Sequence, residues 1–156
     1  MIKVKRIDHV AIAVGDRDGA TRQLGELFGL CEGAREHVPS QAVDVAFLHA
    51  GVTTPVPGAD RASGAETALE VIAPAGAEAN VGLSKFLDKR GPGLHHICFE
   101  VDDLPGALAS LKAAGVRLID DAPRPGARGH QVAFLHPAST GGILFELCAT
   151  PHGAKA

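Results

Sequence analysis

Apolar and polar residues alternate along Ile7–Val14, which reads IDHVAIAV, and again along His96–Val101, which reads HICFEV. A period of two predicts a strand in each case, about 6–14 and 94–101, with one bulky face and one small face. Val10, Ile12 and Val14 share one side of the first strand, while His9, Ala11 and Ala13 share the other. In the second, Ile97, Phe99 and Val101 oppose His96, Cys98 and Glu100. The bulky side is expected to pack under a helix, and the histidine side to wall a cavity.

Behind each strand the spacing becomes helical. Leu24, Leu27 and Phe28 precede Gly29, and Leu104, Ala107, Leu108 and Leu111 precede Gly115. Each set predicts a helix that stops near a glycine. Three more strands follow each helix, at about 30–37, 43–49 and 66–73, then at 116–119, 130–136 and 143–149. A short helix over Val81–Arg90, packing through Leu83, Phe86 and Leu87, separates the two sets.

The two sets are copies of one another. His9–Val14 matches His96–Val101 at an offset of 87 residues, and Gly19-Ala20 matches Gly106-Ala107. The pentapeptide VAFLH at 45–49 recurs letter for letter at 132–136. The offset then falls to 76, aligning Leu69–Ala73 with Phe145–Ala149, so the first copy holds an insertion. Its place is Val52 to Ala65, a run rich in Pro, Gly, Thr and Ser. The expected fold is α+β: one domain over 1–156 built of two βαβββ modules, about 5–75 and 92–150. A short helical linker joins them, and their strands form a curved, barrel-like mixed sheet.

The repeat also singles out chemistry. A carboxylate inside a strand of Leu, Val and Phe is costly to bury without a partner. Glu70 and Glu146 occupy matching positions in the two copies, as His9 and His96 do. A lone strand histidine is ordinarily a packed residue, and a lone strand glutamate ordinarily faces solvent. Two of each in register argue instead that pseudo-symmetric modules gather them around one divalent cation. Nitrogen and oxygen donors without thiolate suit Zn, Co, Ni, Mn or Fe.

Composition narrows the partners. Fifteen basic against 18 acidic residues give a net charge of -3, and there is no Trp or Tyr. Both argue against nonspecific nucleic-acid binding. No apolar run reaches membrane-span length, and the N-terminus reads as a first strand and not as a signal peptide. Three widely spaced cysteines without a CxxC suggest structural thiols in a reducing, cytoplasmic setting.

Four segments carry a family likeness: IDHVAIAV at 7–14; Phe86-Leu87 with GPGLHHICFEVD at 91–102; LIDDAPRPGARG at 118–129; and VAFLHPASTGGILFEL at 132–147. With them the chain resembles, over nearly its whole length, the methylmalonyl-CoA epimerase family of the vicinal oxygen chelate superfamily. The resemblance implies paired βαβββ modules around a metal and an isomerase acting on (2R)/(2S)-methylmalonyl-CoA. Its chemistry would be removal and return of the α proton through a metal-stabilised enolate. His9, Glu70, His96 and Glu146 would be the ligands of a divalent ion, Co, Mn, Zn or Ni, the same four that the repeat selects. Glu146 would be one acid/base. Relatives place a second on the third strand, where this chain reads Val43-Asp44-Val45, with Val45 at the matching position. Either Glu70 takes that role, which we favour, or Asp44 does from a shifted register.

Arg124, Arg128, Lys85 and Arg90 are candidates for CoA phosphates, and the turn bearing Ser139, Thr140 and Gly141 for a carboxylate. The resemblance also implies a homodimer. His95 falls on the face opposite His96 and reads as structural or supporting. His49, His130 and His136 read as supporting or sheet residues, and His37 and His152 carry no signal. Two other functions fit parts of the pattern. A glyoxalase I-type lactoylglutathione lyase shares the two-His, two-Glu set. A non-catalytic binder on the same fold would have no use for paired strand glutamates and would favour aromatic stacking. An extradiol dioxygenase needs only one carboxylate beside two histidines.

Overall fold

A computed structural model describes residues 1–51, 67–75 and 81–150. The predicted insertion at 52–65 and His152 lie outside the described residues. The chain forms two compact units. One is His9–His95; the other joins Met1–Asp8 to the chain from His96 onward.

In the unit His9–His95, β1 (Val4–Ala13, entering at His9) leads into α1 (Arg17–Phe28) and then β2 (Cys31–Val38), β3 (Val43–His49) and β4 (Ala68–Pro74). The strands lie in the order β2-β3-β4-β1, with β1 parallel to β4 and the other neighbours antiparallel. A helix, α2 (Val81–Arg90), follows at the predicted limits and buries Leu83. In the second unit β5 (Gly93–Val101, from His96), α3 (Leu104–Ala113), β6 (Arg124–Pro125), β7 (Gln131–Leu135) and β8 (Phe145–Ala149) repeat the plan. Here β5 is parallel to β8, and β7 lies antiparallel between β8 and β6. The βαβββ module is thus present twice, and the predicted α+β class holds.

The glycine matches within the repeat have a local cause. Asp16 caps α1 by accepting a hydrogen bond from Gly19 N at 3.0 Å, and Asp103 caps α3 by accepting one from Gly106 N at 3.0 Å. A Cβ at either glycine would meet the capping carboxylate. The Asp-x-x-Gly entry therefore satisfies an orphan helix N–H in both copies. At the far end of α1, Gly29 adopts φ 66° and its N–H reaches Gly25 O, the expected left-handed stop.

The bulky faces pack as expected. Ile12, Val14, Leu48, Leu69 and Val71 meet Ala20 and Leu24 of α1, and Phe99, Val101 and Leu147 meet Leu104, Ala107, Leu108 and Leu111 of α3. Two expectations fail. Leu27 and Phe28 are 64% and 69% exposed. The buried stripe of α1 leaves the helix at Leu24, and Leu30 fills the next place after the turn at Gly29. Residues 116–119 do not form a strand. Leu118 makes one isolated bridge to Leu135, and pairing resumes only at Arg124–Pro125. Prolines 123 and 125 have no N–H to give a ladder, and Asp120 turns its side chain inward so that Oδ2 accepts from Phe134 N at 2.8 Å. A carboxylate oxygen stands in for a strand carbonyl.

Removing either cap by Asp16→Ala or Asp103→Ala should lower stability by about 1 kcal/mol, read as a smaller urea midpoint at unchanged slope.

Candidate active site

Each unit builds one imidazole–carboxylate pair, and builds it the same way. In the unit His9–His95, β1 and β4 run parallel with His9 opposite Ala68 and Ala11 opposite Glu70. The two side chains meet across that diagonal, His9 Nε2 lying 3.4 Å from Glu70 Oε2. Phe47 of β3 sits opposite Glu70 and sets its ring edge-on to His9, with centroids 5.7 Å apart. In the other unit β5 and β8 run parallel with Cys98 opposite Glu146, and His96 Nε2 lies 3.2 Å from Glu146 Oε2. Phe134 of β7 sits opposite Glu146 and edge-on to His96 at 5.1 Å. The repeated VAFLH pentapeptide thus supplies the ring that braces each imidazole.

All four polar side chains are buried: His9 4%, Glu70 5%, His96 6% and Glu146 4% exposed. Two donors each about 2.1 Å from a common ion, with an angle of about 90–110° between them, lie about 3.0–3.4 Å apart. Both pairs have that spacing. Each is suited to serve as half of a nitrogen–oxygen ligand set for a divalent metal.

The third strand settles the alternative for the second acid/base. Asp44 alternates to the face opposite Phe47, and its carboxylate pairs with His37 Nδ1 at 2.9 Å. It does not approach Glu70 from a shifted register. Val45, on the Phe47 face and opposite Ile72, is 1% exposed. An aliphatic side chain occupies the place where a carboxylate was sought.

The remaining candidates are dispersed. Lys85 is exposed on α2. Arg90 lies over the Phe86 ring, 5.8 Å from its centroid, and His95 packs edge-on against the same ring. Arg124 donates from Nε to Asp120 Oδ1 at 3.1 Å and lies over Phe134, 5.3 Å from its centroid. Ser139 Oγ accepts from Arg117 N, and Thr140 Oγ1 donates to Ile143 O at 2.6 Å, so both hydroxyls close their own turn. Gly141 there takes φ 68°. His136 caps the same turn, its Nδ1 accepting from Ala138 N.

Arg128 corrects the expectation of a phosphate contact. Its side chain is 5% exposed, and its guanidinium is ion-paired to Asp8, itself buried to 1%. The backbone at Arg128 takes φ 55°, a left-handed conformation unfavourable to a branched chain of this kind. A buried charge pair that outweighs such strain is structural, not a surface contact for CoA.

Asp8 belongs to a ladder of alternating charges that sequence reasoning overlooked. Arg6 Nη2 reaches Asp8 Oδ1 at 2.5 Å while its Nε reaches Glu100 Oε2 at 2.7 Å, and Lys5 Nζ reaches Glu100 Oε1 at 3.0 Å. Burial pushes the Glu100 carboxyl up, but hydrogen bonds from Lys5 and Arg6 outweigh it, and the group titrates below its usual range. One signal was available. At the repeat offset, Glu100 stands where the first copy has Ala13, and Asp8 stands where the second copy has His95.

Comparison with known proteins agrees with this architecture. The family model described as Glyoxalase/Bleomycin resistance protein/Dioxygenase superfamily matches residues 8–134. The chain belongs to that superfamily. It is 36% identical to the ethylmalonyl-CoA/methylmalonyl-CoA epimerase of Cereibacter sphaeroides, over 92% of this chain and 97% of that protein. A Streptomyces coelicolor methylmalonyl-CoA epimerase variant in complex with 2-nitronate-propionyl-CoA superposes with a TM-score of 0.82 at 30% identity, covering 96% of this chain and 97% of that one. A methylmalonyl-CoA epimerase in complex with methylmalonyl-CoA and NH4+ gives the same TM-score and identity over 96% of this chain and 97% of its own. Superfamily membership accounts for the twofold βαβββ plan. Among the described residues no helix is long and apolar enough to cross a membrane.

Two outcomes follow from the charge ladder. Arg128→Met leaves Asp8 short of a partner and should cost about 3 kcal/mol in chemical denaturation. For Glu100 the folded carboxyl is the stronger acid, so its stabilisation is complete above the unfolded value of about 4.3 and is lost as pH falls through the lower folded value. The stability gap between wild type and Glu100→Gln should therefore be constant near neutrality and close below about pH 4.

Proposed function

We propose that this chain is an isomerase that epimerises methylmalonyl-CoA at the carbon α to the thioester. The observation that carries the reading is the pair of identically built, buried His–Glu sets, in a chain about one-third identical to methylmalonyl-CoA epimerases over most of its length. His9, Glu70, His96 and Glu146 hold one divalent ion, and the donor chemistry admits Co, Mn, Zn or Ni. An ion held there supplies positive charge to the thioester oxygen, where negative charge collects as the α proton leaves.

The protein's own groups move the protons. Glu146 is the base on one face of the carbon: a carboxylate taken out of water is a stronger base than one in solution. Glu70 returns a proton from the other face, since neither Val45 nor Asp44 supplies a competing carboxylate beside it. Phe47 and Phe134 keep the imidazoles from rotating and keep water from both carboxylates. Arg124 and Lys85 meet the CoA phosphates, and the turn Ser139-Thr140-Gly141 receives the substrate carboxylate on its backbone N–H groups. Arg128 is committed to Asp8 and takes no part in CoA binding. The same reading makes the protein a cytoplasmic homodimer.

With Co or Mn added in deuterated water, the protein should exchange the α hydrogen of methylmalonyl-CoA, followed by proton NMR. Glu146→Gln should slow exchange about a thousandfold. Glu70→Gln should lose one direction of epimerisation while the variant still binds metal. Absence of exchange together with turnover of a glutathione hemithioacetal would overturn the assignment in favour of a lactoylglutathione lyase.

A further inference from the structure

The face of β5 and β8 that carries His96 and Glu146 holds a second group of donors. The diagonal that brings His96 to Glu146 recurs two residues on, where Glu100 stands opposite Cys148 and Cys98 opposite Glu146. It brings the Cys98 and Cys148 thiols into a hydrogen bond with each other. Cys148 is also hydrogen-bonded to His130, the residue that leads into β7. Asp8, His130 and Cys148 present donor atoms that all lie within 4.8 Å of one another, and Asp8 reaches the Cys98 sulfur within the same limit. These four residues are 0–3% exposed.

Packing alone explains the cysteines, which contact Val132 as small apolar side chains would. It does not explain His130. Its Nε2 is buried and has no hydrogen-bond partner among the described residues, an arrangement that costs stability unless something occupies it. Nor does the fold need these residues. The first copy has Ala11, Ile72 and Val43 at the positions of Cys98, Cys148 and His130. The same scaffold is therefore filled by aliphatic side chains once and by two sulfurs and an imidazole the second time.

We propose that Cys98, Cys148 and His130, with Asp8 as the adjoining carboxylate, form a second metal site for a thiophilic divalent ion of the zinc class. Two sulfurs and one imidazole nitrogen are a zinc-type donor set, distinct from the all-nitrogen-and-oxygen set of the two His–Glu pairs. Entry of the ion displaces the two thiol protons to solvent, and the two thiolates balance its charge. The Asp8 carboxylate remains answered by Arg6 and Arg128, so the buried region gains no net charge.

Cobalt(II) reports the two donor sets separately, because only a thiolate ligand gives an intense charge-transfer band in the near ultraviolet. Titrating the full-length, metal-stripped protein should reveal that band and a stoichiometry of two ions per chain. Cys98→Ala/Cys148→Ala should abolish the band and one equivalent while retaining the other. His9→Ala/His96→Ala should keep the band, whatever becomes of the epimerase activity. His130→Ala should weaken zinc at this site at least tenfold, measured by competition with a chelator. Wild-type protein that binds a single ion without the band overturns the proposal, as does a band that survives the double cysteine change, which would belong to Cys31. Circular dichroism checks that the variants fold, and Cys148→Ser serves as the second test if the double variant does not.

Discussion

A carboxylate in the middle of a β-sheet has to be answered by a donor, because leaving it unpaired costs several kcal/mol. That constraint organises both units. Glu70 and Glu146 are each answered by an imidazole across a diagonal between parallel strands, at 3.4 Å and 3.2 Å. The diagonal exists only because β1 lies parallel to β4 and β5 to β8, which a crossover of one helix and two antiparallel strands makes possible in each module. The chemistry and the βαβββ connection are therefore one requirement. A phenylalanine from the intervening antiparallel strand then fixes each ring from the side.

The two copies share this answer and differ in what surrounds it. The first fills its remaining inward positions with Ala11, Ala13, Val43 and Ile72. The second substitutes Cys98, Glu100, His130 and Cys148, and draws in Lys5, Arg6 and Asp8 from the start of the chain and Arg128 from its second-copy loop. Duplication supplied a symmetric frame, and divergence loaded one half with charge and sulfur. Arg128 illustrates what that required: a left-handed backbone at a non-glycine residue, held in place by a buried ion pair.

Loops follow a different logic from strands. In the second copy, prolines and an inward-turning Asp120 convert an expected strand into a bridge and a two-residue ladder. Asp120 is then free to orient Arg124, whose guanidinium rests on the ring that braces His96. The same substitution of side chain for backbone that shortens the sheet places a cation two contacts from a site histidine.

Periodicity and internal repetition by themselves determined the element order, the limits of α2, the bulky and polar faces, and the four residues His9, Glu70, His96 and Glu146. Those are properties of alternation and of register between copies, and both are written in the order of residues. The caps at Asp16 and Asp103 were legible as a repeated glycine without their cause. Only the tertiary structure decided that Arg128 turns inward to Asp8, that Asp44 faces away from Glu70, and that Leu27 and Phe28 stay in solvent. It alone brought Cys98, Cys148 and His130 together, from positions that a linear reading treats as unrelated. The reason is physical: pairing between distant residues depends on which strands become neighbours and on their diagonal offset, and the local pattern of apolar and polar positions contains neither.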